Sequence, residues 1–112
     1  MSMGTTYWAW NYPKLKPVQK LVLMAMAEAC SGLDSFSTAS PDWISKEINC
    51  ADCTLDTVKN ALLGLEKVGA IKNVSNDAEV IEYFIEHGIE REYFWELLGY
   101  IPPHNQFKRR GK

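Results

Sequence analysis

The chain has 112 residues, which is enough for one ordinary domain and too few for two domains with separate hydrophobic cores. Apolar residues make up 46% of it and charged residues 23%, a composition that excludes a disordered chain and a fibrous repeat. The formal net charge is −2, but residues 77–100 carry seven acids against one arginine, whereas residues 101–112 carry four cations and no acid. Any binding of an anionic partner must therefore be local.

The N-terminal residues 1–6 contain no basic cluster followed by an apolar run, so no secretory signal is predicted. The longest apolar run, Leu21 to Ala27, is far shorter than the ~20 residues of a membrane-spanning helix. We therefore expect a cytoplasmic protein without a membrane partner. In that compartment the three cysteines, an odd number, are expected to be reduced thiols.

The first two predicted elements lie on either side of Pro13. Residues 7–12 hold four aromatic side chains in an alternating pattern, which predicts a short extended arm along the edge of a core. Pro17 suits the first position of a helix, and apolar residues then recur at steps of three and four. This spacing predicts a largely buried helix from about Pro17 to Cys30.

Two shorter helices are predicted next. Residues 31–39 are rich in Ser, Thr, Gly and Asp and are predicted as a polar connection. The run Ser40-Pro41-Asp42 supplies a cap, a first-position proline and an acid in the first turn, and the helix it begins is expected to end at Asn49. After a polar passage, Thr54 caps a third helix that Gly69 closes.

The last third of the chain begins with a predicted strand at residues 70–74, followed by a turn at 75–77. Residues 77–86 fit either a returning strand or a helix capped by Asp77, and the helical stripe is slightly favoured. Residues 90–98 are predicted as a final helix. Residues 101–112 are predicted as a flexible basic tail.

These elements form the outline of a winged helix-turn-helix: a longer helix, two short helices joined by a turn, then a glycine and a strand. The residues that carry a family resemblance are Trp8-Ala9-Trp10, Leu15-Lys16-Pro17, Lys20-Leu21-Val22-Leu23, Ser40-Pro41, Thr57-Val58, Ala61-Leu62, Leu65-Glu66 and Gly69-Ala70-Ile71. Over roughly residues 8–74 the chain resembles the helix-turn-helix domains of phage and plasmid replication initiators and related prophage proteins. The resemblance implies a mainly α fold with a small β-wing and extra C-terminal helix or helices, as a single domain over residues 1–100.

The resemblance also implies a non-enzymatic protein that binds double-stranded DNA in replication initiation or transcriptional control. The third helix, at about residues 54–68, is then the recognition helix, and its N-terminal residues read base edges in the major groove. The expected DNA-binding residues are Thr54, Leu55, Asp56, Thr57, Lys59 and Asn60 on that helix, Lys72 and Asn73 at the wing, and Lys108, Arg109 and Arg110 in the tail.

Each residue type on the third helix suggests a contact. Asn60 suits adenine, and Lys59 suits guanine or a phosphate. The hydroxyls of Thr54 and Thr57 suit backbone oxygens. Asp56 can accept a hydrogen bond from cytosine, although its charge repels phosphates.

A second hypothesis is a protein-interaction module on the same fold, and the balanced charge of residues 1–76 favours it. Its partner is a second copy or another replication or regulatory protein. The acidic, aromatic-rich C-terminal segment supplies the interface, through Tyr83, Phe84, Tyr93, Phe94, Trp95 and Tyr100. Packing of these aromatic residues inside the fold is the competing explanation.

Catalysis and cofactor binding have no support in the sequence. Cys50 and Cys53 have the spacing of half a zinc site, but the remaining candidate ligands are distant, so a structural role in the turn is favoured. The glutamates of residues 79–96 fit the solvated faces of amphipathic helices. No phosphate-binding glycine loop occurs. We therefore predict no enzyme activity, metal, cofactor or small-molecule substrate.

Overall fold

A computed structural model of the chain describes residues 3–48 and 54–109. It is mainly α-helical, with a small antiparallel sheet. The helices are α1 (Met3–Asn11), α2 (Pro17–Glu28), α3 (Pro41–Ile48), α4 (Leu55–Lys67) and α5 (Ala78–Glu86), and the strands are β1 (Phe36–Ser37), β2 (Ile71–Asn73) and β3 (Trp95–Leu97). Cys50, Cys53 and Arg110, for which the sequence suggested roles, lie outside the described residues.

Local sequence explains where α2, α4 and α5 begin and end. Pro17 occupies the first turn of α2. Thr54 caps α4, since its side chain accepts a hydrogen bond from the backbone N–H of Thr57, and Asp77 caps α5 in the same way through Glu79 and Val80. Gly69 follows α4 with a φ of 83°, a left-handed conformation that favours glycine. The helices predicted at these positions are confirmed, including α5.

Helix α1 corrects the prediction of an extended arm. Thr5 and Ala9, four residues apart, are both buried, and Trp8 makes an edge-to-face contact at 5.6 Å with Tyr12, which follows the end of the helix. The C-terminal end of α1 is held by Lys20, whose Nζ donates to the carbonyls of Ala9, Trp10 and Tyr12 at 2.9, 2.8 and 2.6 Å. The aromatic residues that precede Pro13 therefore belong mainly to a helix and not to an extended arm.

Strand β3 corrects the prediction of a final helix at residues 90–98. Trp95 and Leu97 are buried while Glu96 is half-buried, which is the two-residue period of a strand. β3 is the central strand and pairs antiparallel with both neighbours, so the sheet order is β1-β3-β2. β1 lies in the segment that was predicted as connection only.

Two hydrophobic clusters lie on opposite faces of this sheet. The main core joins α2, α3 and α4 to Ile71, Trp95 and Leu97. Phe36 is the register partner of Glu96, so its side chain points to the other face. There it packs with Phe84 and Phe94, which gives the segment between β2 and β3 a small core of its own.

Residues 101–109, predicted as part of a mobile tail, lie against this second cluster. Phe107 is 9% exposed and its ring centroid is 4.9 Å from that of Phe36. The backbone N–H of Gln106 donates to the carbonyl of Leu33 at 2.8 Å. The chain is therefore packed and hydrogen-bonded as far as these residues.

Candidate nucleic-acid interface

Helix α4 has one buried face and one exposed polar face. Val58, Leu62 and Leu65 are buried in the main core, where α4 packs against α2 and α3. Asp56, Lys59 and Asn60 are exposed on the opposite side. This is the geometry that the proposed reading of base edges needs, because the N-terminal half of the helix is uncovered.

The first turn of α4 is built by two threonines. The Oγ1 of Thr54 accepts from the backbone N–H of Thr57 at 3.2 Å, and the two hydroxyl oxygens lie 3.0 Å apart. Thr54 is exposed, whereas Leu55 and Thr57 are half-buried. Thr54 thus serves as the helix cap and still presents its hydroxyl to solvent.

The lysines on this face have no ionic partner among the described residues. Lys59 forms no ion pair with any residue of 3–48 or 54–109, and the same holds for Lys67 at the far end of the helix. Asp56 places a carboxylate one turn before Asn60. The exposed face therefore has a mixed rather than a uniformly positive charge.

The two residues predicted at the wing are exposed on β2. Lys72 pairs in register with Glu96, so both side chains lie on the sheet face away from the main core. The Oδ1 of Asn73 accepts from the backbone N–H of Ser75 at 2.9 Å, and this bond holds the turn after β2. The structure therefore does not bring Lys72 onto the face of the sheet where α4 packs.

Arg109 also lies away from α4. Its guanidinium pairs with Asp77 at 3.0 Å, Glu79 at 3.3 Å and Glu96 at 3.9 Å, on the second face of the sheet. Burial alone would raise the pKa of Asp77, but the hydrogen bond and charge of Arg109 lower it overall. Lys108 is exposed. Through Arg109, the basic tail thus pairs with the acidic segment of residues 77–100.

The aromatic residues predicted as a partner interface are used inside the fold. Phe84, Phe94 and Trp95 are each at most 4% exposed, and the Nε1 of Trp95 donates to the carbonyl of Ala39 at 2.9 Å. These three side chains cannot also form an exposed interface, which corrects that prediction. Tyr83, Tyr93 and Tyr100 are half-buried.

A group of exposed apolar side chains lies on α1, where none was predicted. Met3 is 87% exposed, Tyr7 72% and Trp10 65%, and a shallow groove runs between them and Met24 of α2. These residues are four and three positions apart, so they form a stripe along one face of the helix. The helical spacing is visible in the sequence, but the prediction of an extended arm for residues 7–12 did not use it.

A larger open groove of about 600 Å³ lies beside the N-terminal half of α4. We name it the Trp43 groove. It is lined by residues 38–43, Ala29, Leu55, Lys59 and residues 91–93. Arg91, the single Lys or Arg of residues 77–100, thus lines the same groove as Lys59, although 32 positions separate them in the chain. Sequence reasoning missed Arg91 because nothing local relates it to α4.

A buried polar cluster links α5 to the segment before β1. Asp34 is 4% exposed, and burial raises the pKa of its carboxyl although Phe36 and Tyr83 donate hydrogen bonds to it. The thiol of Cys30 donates to the carbonyl of Asp34 at 3.3 Å, and burial raises the pKa of that thiol. A buried thiol with a raised pKa is a poor nucleophile.

Within residues 3–48 and 54–109, no group of three or more His, Cys, Asp or Glu side chains could hold a metal ion. Among those residues no helix is both long enough and apolar enough to cross a bilayer.

Known proteins add no further information on the class of this one. Comparison of the chain with protein-family models, with curated proteins and with solved structures gives no match.

Proposed function

We propose that the protein is a non-enzymatic double-stranded DNA-binding protein of the winged helix-turn-helix class, with α4 as its recognition helix. The observation that carries the proposal is the exposed polar face of the N-terminal half of α4, formed by Thr54, Asp56, Lys59 and Asn60. The family resemblance favours a phage or prophage role in replication initiation or transcriptional control.

The arrangement of elements supports this class. α2, α3 and α4 contact one another pairwise, and α4 leads through Gly69 into β2 of an antiparallel sheet. In a helix-turn-helix protein the second helix of the pair enters the major groove while the first crosses the backbone. α4 and α3 are assigned these positions.

The wing departs from a simple hairpin. Residues 74–94 separate β2 from β3 and contain α5 with its own small core. The proposal therefore assigns recognition to α4 and gives the wing position a mainly structural role.

The charges predict modest affinity. Lys59 is the one cation in the N-terminal half of α4, and Asp56 opposes it. Each phosphate neutralised contributes about −0.9 to the slope of log K against log salt concentration, so this protein should show a shallow slope of about −1. Base contacts from Asn60 and Lys59 are then needed for specificity.

A binding titration against mixed-sequence duplex DNA at about 50 and 200 mM salt tests the proposal. Lys59→Ala and Asn60→Ala should each weaken binding about tenfold, with unchanged melting temperatures, because both side chains are exposed. Lys67→Ala is the matched control, an exposed lysine two turns further along the same helix. Absence of duplex binding at the lower salt concentration would remove the proposal.

A second candidate function is self-association through α1. Met3, Tyr7 and Trp10 form an exposed apolar surface, and residues 3–11 contain no Lys, Arg, Asp or Glu. Two copies can therefore meet on this surface without burying a charge. This observation moves the interaction hypothesis from the C-terminal segment to the N-terminal helix.

A further inference from the structure

The Trp43 groove combines two cations with two aromatic side chains. Lys59 lines it from α4 and Trp43 from α3, whereas Arg91 and Tyr93 line it from the segment before β3. Neither cation forms an ion pair with a residue of the described ranges. Arg91 donates from Nη1 to the carbonyl of Glu90 at 2.8 Å, which leaves most of its N–H groups available.

The two rings are suited to stacking. Trp43 is 37% exposed, so part of its ring is open to a ligand in the groove. Tyr93 lies parallel to the buried Trp95, with an interplanar angle of 6° and a centroid distance of 6.1 Å. Trp95 is itself fixed by its hydrogen bond to Ala39, so Tyr93 rests on a rigid support.

Two carboxylates complete the lining. Asp42 and Glu92 are both exposed and balance the formal charge of Lys59 and Arg91. A simple anion would be repelled by them as much as it is attracted by the cations. An occupant that fits all of these groups must carry a negative group, a flat ring and N–H donors.

A nucleotide has these three features together. Its phosphate suits Lys59 and Arg91, its base can stack on Trp43 or Tyr93, and the exocyclic amine of cytosine can donate to Asp42 or Glu92. The volume of about 600 Å³ lies within the range of small-ligand sites. A base inside a duplex is already stacked on both sides, so only an unpaired base can enter.

We propose that the Trp43 groove binds one unpaired nucleotide of single-stranded DNA, next to the duplex that α4 contacts. This inference rests on the proposed function only through Lys59, which belongs to both surfaces. It would allow one molecule to hold a junction between duplex and single strand.

Fluorescence anisotropy with a labelled single-stranded oligodeoxycytidylate of about ten nucleotides tests the inference at low salt. Trp43→Ala should weaken binding about tenfold and Trp43→Phe should retain most of it, because a phenyl ring still stacks. Arg91→Gln should weaken binding and make the salt slope shallower by about one phosphate contact. Lys67→Gln, outside the groove, is the control.

The base supplies a second readout. An oligothymidylate of the same length should bind more weakly than the oligodeoxycytidylate, because thymine lacks an exocyclic amine to donate to Asp42 or Glu92. No binding of either strand, or equal binding by the parent, Trp43→Ala and Arg91→Gln proteins, would overturn the inference. Melting curves establish that each variant is folded, and Arg91→Gln is a surface change that the core does not depend on.

Duplex binding measured with the same variants separates the two proposals. Arg91→Gln and Trp43→Ala should leave duplex affinity unchanged, whereas Lys59→Ala should weaken both kinds of binding. If the parent protein does not bind duplex DNA but binds the oligonucleotide in a way that depends on Trp43, the proposed function is removed and this inference is supported. The opposite pattern, duplex binding alone, would remove this inference and support the proposed function.

Discussion

The hydroxyl of Tyr83 donates a hydrogen bond to Oδ2 of Asp34 at 2.9 Å and so connects α5 to the segment that precedes β1. These residues are 49 positions apart, and Asp34 is buried. Its other oxygen accepts from the backbone N–H of Phe36 at 3.0 Å. The pair is therefore a main polar link between the second hydrophobic cluster and the rest of the fold.

Removing the hydroxyl should destabilise the protein. Tyr83→Phe leaves a buried carboxylate with one donor fewer, so the free energy of unfolding at neutral pH should fall by about 1–2 kcal/mol. Chemical denaturation measures this value. The control is Tyr7→Phe, whose ring is 72% exposed and whose unfolding free energy should stay unchanged. Equal effects from the two variants would contradict the structural role of the Tyr83 hydroxyl.

The pH dependence of stability should carry the signature of Asp34. Burial raises its pKa in the folded protein. At pH values between the unfolded and the folded pKa, the folded state therefore holds a proton that the unfolded state has released. Its contribution to stability is full below the unfolded pKa and is lost as pH rises through the raised folded pKa. Asp34→Asn should remove this loss, as measured by unfolding from about pH 3 to 7. A variant with the same pH profile as the parent would contradict this assignment.

The contact between Lys20 and the end of α1 gives another prediction. Its Nζ donates to three carbonyls at the C-terminal end of the helix, where a positive charge is favourable. Lys20→Met should keep the aliphatic packing and lower the unfolding free energy by about 1 kcal/mol. Lys14→Met, at an exposed lysine outside this contact, is the control. A parent-like Lys20→Met protein would show that the contact adds no stability.

Arg109 should contribute little stability, and its contribution should depend on salt and pH. The pairs with Asp77 and Glu79 are partly exposed, so Arg109→Gln should cost less than about 1 kcal/mol, and high salt should reduce the difference. Because Arg109 lowers the pKa of Asp77, this stability is present above the unfolded pKa of Asp77 and is lost as pH falls through the folded value. Denaturation at two pH values and two salt concentrations checks it. A stability cost that changes with neither pH nor salt concentration would contradict this prediction.

Self-association through α1 can be measured directly. Tyr7 and Trp10 are 72% and 65% exposed and present about 150 Å² each, so with Met3 a symmetric pair would bury about 900 Å², close to the lower limit of about 1,000 Å² for a specific interface. A weak dimer is expected in sedimentation velocity at high concentration. Trp10→Glu should make it monomeric, whereas Leu63→Glu, at a residue of similar exposure on α4, should not. A parent protein that stays monomeric would exclude this interface.

The sequence by itself determined the elements whose limits are set by neighbouring residues. Pro17, Thr54, Gly69 and Asp77 cap or close α2, α4 and α5, and caps act within a few residues of the chain. The inner and outer faces of α4 also followed from its period, and the structure leaves Lys59 and Asn60 exposed as expected.

Only the tertiary structure decided the features that depend on distant partners. β3 is a strand because β1 and β2 pair with it on both sides, although its residues also fit a helical period. The same packing buries Trp95, places Arg109 on the acidic face of the sheet and brings Arg91 to Lys59. Local propensity carries no information about contacts that form between segments far apart in the chain, and the candidate sites of this protein are built from such contacts.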